Sequence, residues 1–264
     1  MTGDATFAVA ALVRREMVRF FRERTRVVGA LLQPLLFWAF FGGGFSASFR
    51  TPGNGPGYTA WLFPGTVVLI LLFTAIFATI SVIEDRREGF LQGALVAPVP
   101  RAVIVLGKIL GGTALAVAQA GLVLLAAPLV GVHPAVTAAL GAFGLLVLIA
   151  FALTSLSLAI AWRLRSTQGF HAIMTVFLMP LWLLSGAFFP AAGAPAWLGA
   201  LMTANPLTYG VAALRHLLGA AAGGGAGTTL PGLPLSLLAT ASFALVAFTA
   251  ALVVAGRADA GDAA

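Results

Sequence analysis

Six long apolar stretches alternate along the chain with short segments that hold nearly all of its charged residues. The stretches cover residues 27–45, 59–83, 103–130, 135–161, 172–190 and 233–256. Each is close to or above the roughly 20 apolar residues that a helix needs to cross a bilayer. Among their residues Lys108 is the one Lys, Arg, Asp or Glu, and it lies near an end, from which its side chain is expected to reach the membrane interface. The pattern predicts an all-α membrane protein with six transmembrane helices.

Composition and charge support this class and indicate an orientation. Hydrophobic residues make up 60% of the 264 residues, charged residues make up 9%, and the net charge is +7. With both termini in the cytosol, 13 of the 15 Lys and Arg residues fall on the cytosolic side with all eight acidic residues, and Arg50 and Arg215 fall outside. Cytosolic loops of membrane proteins carry such an excess of basic residues. We therefore expect a multi-pass protein of the cytoplasmic (inner) membrane, with cytosolic termini, whose charge attracts anionic lipid and not nucleic acid.

The sequence contains no motif for ATP binding, ion coupling or catalysis. Lys108 follows Gly107, but Ala102 and Ile109 replace the glycine and the Ser or Thr of a phosphate-binding loop. The central parts of the six stretches hold no ionisable residue of the kind that ion-coupled carriers use. No nucleophile lies beside a base, and there is no cysteine, so we expect no catalytic residue, no metal site and no bound cofactor. Energy for transport would then come from a partner.

The segment before the first span, residues 9–26, is amphipathic when plotted as a helix. Its apolar side carries Val9, Val13, Met17, Phe20 and Phe21, and its polar side carries Arg15, Arg19, Arg22, Glu23 and Arg26. Such a helix is expected to lie in the inner membrane interface with its arginines near lipid phosphates. Two roles stay open: the helix anchors the topology of the first span, or it also forms part of a docking surface for a cytosolic partner.

The densest group of charges follows the second apolar stretch. It comprises Glu84, Asp85, Arg86, Arg87 and Glu88, followed by Gly89, Phe90 and Leu91. The apolar residues that follow have helical spacing, and the pattern ends before Pro98, so a short amphipathic helix is expected there. Membrane topology needs only Lys and Arg, yet three of the five charged residues are acidic. Both signs of charge beside apolar side chains are typical of a docking surface for another protein.

Several motifs resemble those of ABC-2 type exporter permeases, and they occur in the family's order over roughly residues 10–256. They are Gln33-Pro34-Leu35-Leu36-Phe37, Glu84-Asp85-Arg86-Arg87-Glu88-Gly89, Leu95-Val96-Ala97-Pro98-Val99-Pro100-Arg101, Leu184-Ser185-Gly186-Ala187-Phe188-Phe189-Pro190, and Asn205-Pro206-Leu207-Thr208-Tyr209-Gly210-Val211 with Leu214-Arg215. The resemblance implies a permease subunit of an ATP-driven ABC exporter. Two copies would pair, each bound by a separate ATP-binding cassette ATPase subunit that holds ATP and Mg²⁺.

The resemblance also implies roles for the polar segments. In the family the helix after the second span is a coupling helix, so residues 84–96, above all 84–91, are expected to receive the motion of the ATPase. In family structures the N-terminal helix lies beside the ATPase, which favours a docking role for Arg15, Arg19, Arg22 and Phe20. Residues 191–204 resemble the family's short re-entrant outer helices, whereas Gln92 and the Gly/Ala-rich loop at 219–229 depart from the pattern. The expected organisation is a cytosolic helix at 1–26, a six-helix domain at 27–256 and a cytosolic tail at 257–264.

Aromatic residues concentrate on the first and fifth spans, which in the family face the dimer axis. With Gln33 they are candidates for a conduit or dimer interface: Phe37, Trp38, Phe41, Phe177, Trp182, Phe188 and Phe189. An aromatic belt at the outer membrane interface explains the same residues equally well, and Gln33 also suits a hydrogen bond between helices. An uncharged, apolar conduit favours an amphiphilic or hydrophobic cargo such as a drug, a lipid or a lipid-linked glycan. The alternatives are an ion-coupled secondary carrier and an ATPase-independent channel or scaffold.

One small-residue pattern is a candidate for close helix packing. Gly107-x-x-x-Gly111 places two glycines on one helical face, where a neighbouring backbone can approach. In a chain with 31 glycines such a pattern also arises by chance, so the sequence leaves its role open.

Overall fold

The computed structural model of the protein describes residues 2–45, 57–96, 99–191, 194–219 and 231–257. Within these ranges the chain forms helices and turns and no β-strand. The helices are α1 (Thr2–Arg22), α2 (Arg24–Phe45), α3 (Tyr58–Arg87), α4 (Phe90–Val96), α5 (Arg101–Leu124), α6 (Val136–Ala161), α7 (Thr167–Trp182), α8 (Ala196–Ala204), α9 (Pro206–Leu217) and α10 (Leu233–Arg257). A 3₁₀ turn follows α5 at Ala127–Val130, and a π-helical turn follows α7 at Leu183–Ala187.

In the described part of the chain six helices are long and apolar enough to cross a membrane, which confirms the predicted number. They are α2, α3, α5, α6, α7 with its π-helical turn, and α10. The third span was predicted to reach residue 130, but α5 ends at Leu124, and Gly131 turns the chain with a φ of 79°. α7 begins five residues before the predicted 172, because the Ser166 hydroxyl caps it by accepting a hydrogen bond from the Gly169 amide at 3.2 Å.

The six long helices run alternately between two ends of a bundle. Near the end of α2 the Trp38 indole donates to the carbonyl of Thr59 in the first turn of α3, at 3.0 Å. Near the start of α2, Arg26 pairs with Glu84 close to the end of α3. We call the end that holds α1, the last turn of α3 and the start of α5 the charged end, and the other end the opposite end.

α3 is the central helix of the bundle. It packs against α2, α5, α6 and α7, and residues 67–72 in its middle are at most 1% exposed. A helix that other helices surround buries every face, so its sequence is apolar all round. This is why the second apolar stretch shows no polar stripe.

Glycines allow the closest contacts between helices. A Cβ atom at Gly107 would lie 2.8 Å from Leu12, and one at Gly111 would lie 2.8 Å from Glu16. The Gly107-x-x-x-Gly111 pattern is thus a helix contact face, and α1 is the helix that packs on it. Farther along α5, a Cβ atom at Gly112 would lie 2.7 Å from Thr154 of α6.

α8 and α9 form a helical pair at the opposite end, where short outer helices were predicted. Asn205 joins them: its side-chain oxygen accepts from the Leu207 amide at 2.9 Å, and its side-chain nitrogen donates to the Leu181 carbonyl at 2.6 Å. The Thr208 hydroxyl donates to the Met202 carbonyl at 2.6 Å. These bonds fix the pair against the end of α7. Its position relative to a membrane stays a prediction.

Some sequence predictions fall outside the described residues. They are most of the outer loop at 46–58, residues 97–98 of the motif at 95–101, residues 192–193 of the segment at 191–204, nearly all of the Gly/Ala-rich loop at 219–229, and the tail beyond Arg257.

Candidate functional site

The acidic residues at the end of α3 pair with arginines of α1 and α2. Asp85 is fully buried, and its two carboxylate oxygens accept from Arg15 at 2.6 and 2.9 Å. Arg19 pairs with Asp85 as well and reaches Glu84 at 2.9 Å. Glu84 also accepts from Arg26. These contacts join the end of α3 to α1 and to the start of α2.

Lys108 connects α5 to the same group of charges. Its ammonium pairs with Glu16 of α1 at 2.6 Å and with Asp85 of α3, and its side chain is 2% exposed. The expectation that Lys108 reaches the membrane interface is therefore wrong, because two buried carboxylates hold it inside the protein. We call this set the charged network; its members are Arg15, Glu16, Arg19, Arg26, Glu84, Asp85 and Lys108.

The network changes the expected orientation of α1. Arg15 and Arg19 face α3 and not lipid phosphates. Burial lowers the pKa of Arg15, but its hydrogen bond to Asp85 and the charges of nearby carboxylates raise it. The net effect is a raised pKa. Phe20 is 4% exposed and packs in a core between α1, α2, α3 and α5. Of the four predicted interface residues, Arg22 is the exposed one.

Gly89 turns the chain from α3 into α4. Its φ of 79° is a left-handed conformation that glycine adopts without strain. The turn places the Phe90 ring 3.6 Å from the guanidinium carbon of Arg15, a cation–π contact between α4 and the charged network. Leu91 is 3% exposed and packs with residues of α5. One face of α4 is therefore fixed to the bundle.

The other face of α4 is open. Gln92 and Gly93 are exposed, and Val96 is 86% exposed. Glu88, just before the turn, is also exposed, and it pairs with Arg19 at 3.3 Å. Of the predicted coupling residues, Asp85 and Leu91 are thus buried, Glu84 and Arg86 are half-buried, and residues 87–90 are exposed.

The two arginines of the cluster bind the turn between α6 and α7. Arg86 donates to the carbonyls of Trp162 at 2.6 Å and of Leu164 at 3.1 Å. Arg87 donates to the carbonyl of Arg165 at 2.9 and 3.1 Å. The end of α3 is consequently bonded to α1, α2, α5 and the turn between α6 and α7. The sequence analysis predicted none of these pairings between helices, since the partners lie 23 to 92 residues apart in the chain.

Most of the aromatic residues predicted for a conduit form a cluster of half-buried rings next to the buried Trp182. The Phe37 ring lies 4.2 Å from that of Phe41 and 5.6 Å from that of Phe188, between ring centroids. Trp182 is fully buried, and its indole donates to the Gly65 carbonyl at 2.8 Å. Trp182 therefore lies on no exposed surface of this single copy, and its role in a conduit or dimer interface stays a prediction.

Two of the predicted conduit residues do lie at the surface. Phe177 is 54% exposed on α7. Gln33 is exposed on α2 and lines, with His171 and Thr175 of α7, a cavity of about 290 Å³ against α3. Phe189 is half-buried in the segment after α7.

Arg215 was expected in an outer loop, and instead it is buried in the last turn of α9. It is 3% exposed, and its guanidinium carbon lies 3.9 Å from the centre of the Trp61 ring. One terminal nitrogen donates to the Ala187 carbonyl at 3.3 Å. Burial lowers the pKa of Arg215 to about 9, an effect that Tyr58 opposes. This burial could not be predicted from the sequence, because it depends on how the α8–α9 pair folds back on the bundle.

Comparison with known proteins relates most of the chain to transport permeases. The family model described as ABC-2 type transporter matches residues 8–218. The transport permease ycf38 of Cyanophora paradoxa is 29% identical over 209 residues, which cover 78% of this chain and 72% of that protein. The ycf38 permease of Pyropia yezoensis is 28% identical over 215 residues, 79% and 73% of the two chains. The daunorubicin resistance ABC transporter permease protein DrrB1 of Streptomyces coeruleorubidus is 22% identical over 227 residues, 84% and 78%.

Proposed function

Since the chain belongs to the ABC-2 type transporter family, we propose that it is the membrane-spanning permease subunit of an ATP-driven exporter. A separate ATP-binding cassette subunit carries ATP and Mg²⁺ and supplies the energy. The charged end faces the cytosol, in the inner membrane, with both termini on that side. The excess of Lys and Arg at this end supports the orientation.

The observation that carries the proposal is the construction of α4. One face of this short helix is open at the charged end, and the other is fixed through Phe90 to Arg15. Arg15 in turn binds Asp85, which also binds Lys108 of α5. A displacement of α4 by the ATPase is thus passed directly to α1, α3 and α5. Buried ion pairs suit this role because separating them leaves an uncompensated charge.

We propose that two copies of the chain meet through α2 and α7. α2 exposes Val28, Leu32, Leu36 and Phe40, which are four residues apart and so share one face. α7 exposes Ile173, Val176 and Phe177. The cavity that Gln33 lines opens between the same two helices. An apolar surface with an amide and hydroxyl beside it suits an amphiphilic cargo, and the Streptomyces relative is named for resistance to daunorubicin.

A substitution on the open face of α4 tests the proposal. Val96→Asp should lower co-purification with the ATP-binding cassette partner, and ATP-driven transport with it, at least tenfold. The physical reason is that a carboxylate in an apolar protein contact must be desolvated. The variant should fold normally, since Val96 makes little contact with the bundle.

The matched control is Arg257→Glu, a charge change at an exposed residue of the same end, on α10. It should leave the complex intact. If Val96→Asp and Glu88→Arg both leave complex formation and stimulated ATP hydrolysis unchanged, coupling through α4 is wrong. Transport without any ATPase would indicate a channel, and transport that ionophores abolish would indicate a secondary carrier.

A further inference from the structure

Arg215 is a buried cation at the opposite end of the bundle with no carboxylate beside it. The acidic residues whose side chains the structure describes all lie at the charged end; they are Glu16, Glu23, Glu84, Asp85 and Glu88. The guanidinium of Arg215 contacts the Trp61 ring and donates to the Ala187 carbonyl. Its Nε atom is buried and has no hydrogen-bond partner in the described part of the chain.

These contacts leave the Nε donor of the Arg215 guanidinium without an acceptor and its positive charge without a carboxylate. A buried charge without a counter-charge is destabilising, and a buried donor without an acceptor adds to that effect. An uncharged side chain could donate the same hydrogen bond to Ala187 without this penalty. The positive charge is therefore more than the contact with Ala187 requires, and it calls for a different role.

The segment that accepts a hydrogen bond from Arg215 contains a glycine with a left-handed backbone conformation. Ala187 follows Gly186, which has a φ of 73° and interrupts the π-helical turn after α7. π-Helical turns are rare in proteins overall, but those that occur are often found at functional sites. Next to it, the Phe188 carbonyl accepts from the Tyr58 hydroxyl at 2.9 Å, and the Tyr58 ring stacks on Trp61. Rotation about Gly186 would move Ala187 and Phe188 off α3 together and open access to the guanidinium.

We propose that Arg215 binds the anionic group, a phosphate or a carboxylate, of an amphiphile that leaves the transporter at the opposite end. The planar guanidinium matches the paired oxygens of either group, and its charge is available for them. The rings of Trp61 and Tyr58 would contact the adjoining apolar part of the ligand. This inference rests on the proposed exporter function and deepens it, since it names an anionic amphiphile as the cargo class.

Equilibrium binding to the complete permease–ATPase complex in nanodiscs tests the inference. The probes are dodecyl phosphate, dodecyltrimethylammonium and inorganic phosphate, each with and without vanadate-trapped nucleotide. Wild type should prefer dodecyl phosphate over dodecyltrimethylammonium at least tenfold. Arg215→Met should weaken dodecyl phosphate binding about 10- to 100-fold, the ratio that a charge-assisted hydrogen bond supplies. Arg215→Lys should keep the preference for phosphate.

The control is His216→Gln, because His216 is adjacent in α9 but contacts the Pro231 carbonyl instead. It should leave binding of every probe unchanged. Equal weakening of the phosphate and ammonium probes in Arg215→Met would mean that Arg215 only supports the fold, and it would overturn the inference. So would a wild type without charge preference, and inorganic phosphate that binds as tightly as dodecyl phosphate would overturn the assignment to an amphiphile. Failure of the ATPase to bind at all would instead contradict the proposed function.

Discussion

Asp85→Asn should be the most damaging single change at the charged end. The Asp85 carboxylate is fully buried and accepts from Arg15, Arg19 and Lys108 at once. Removing one member of a buried ion pair leaves its partner charged and unpaired, which destabilises proteins by about 3–5 kcal/mol. For a chain of this size each kcal/mol lowers the melting temperature by about 2–4 °C. We therefore expect a fall of roughly 6–20 °C in the apparent melting temperature.

The assay is thermal unfolding of the purified protein in detergent, followed by tryptophan fluorescence. Glu88→Gln is the matched control, because that carboxylate is 62% exposed and its ion pair within the described residues is with Arg19 at 3.3 Å. Exposed pairs contribute about 0–1 kcal/mol, so the control should shift the melting temperature by no more than a few degrees. Equal shifts of the melting temperature in the two variants would refute the argument that burial makes the Asp85 carboxylate contribute more to stability than the Glu88 carboxylate.

A double-mutant cycle sharpens the same test. Asp85→Asn combined with Lys108→Met removes both charges of a contact whose members are almost completely excluded from water. The double variant should be less destabilised than the sum of the two single variants, by about 0.5–3 kcal/mol. Strict additivity would mean that Lys108 and Asp85 act independently of each other.

Two further changes test the packing of α1 on α5 and the backbone conformation of Gly186 after α7. Gly107→Val should push α1 away from α5 and destabilise the protein by about 1–3 kcal/mol in the same melting assay. The reason is that even a Cβ atom at Gly107 would contact Leu12. The control is Gly144→Val, at a glycine with open space around it, which should be close to neutral. Gly186→Ala should lower stability by about 1–2 kcal/mol because Gly186 has a positive φ. The comparison variant is Gly199→Ala, in α8. If Gly186→Ala stabilised the protein and Gly199→Ala destabilised it, the backbone conformation assigned to Gly186 would be contradicted.

The length of the apolar runs was sufficient to predict the six long helices, because such runs are local features of the sequence. Their exact ends were not predicted at α5 and α7: α5 ends at Leu124, and the Ser166 cap starts α7 at Thr167. The extent of α3 was less predictable. Its last turn consists of residues of the charged cluster. The composition of that cluster predicts a solvent-exposed segment as long as its partners on α1 and α5 are not known.

The buried charges could not be predicted for the same reason. Lys108 is the only lysine of the chain, and Glu16, its partner, lies 92 residues earlier. Nothing near Lys108 in the sequence separates a buried ion pair from a side chain that reaches the interface. The family resemblance pointed to residues 84–91 as a unit, whereas the fold assigns Asp85 to the interior and Glu88 to the surface.

The order of the charged residues along the chain has a consequence for biosynthesis. Arg15 and Glu16 are synthesised first and lie 3.2 Å apart, so Glu16 has a partner while the rest of the chain is still being made. Asp85 follows, and the arginines of α1 are already present when it enters the membrane region. Lys108 is synthesised last, after both of its acceptors. Insertion from the N-terminus to the C-terminus therefore never brings one of these charges into the bundle before a partner for it exists.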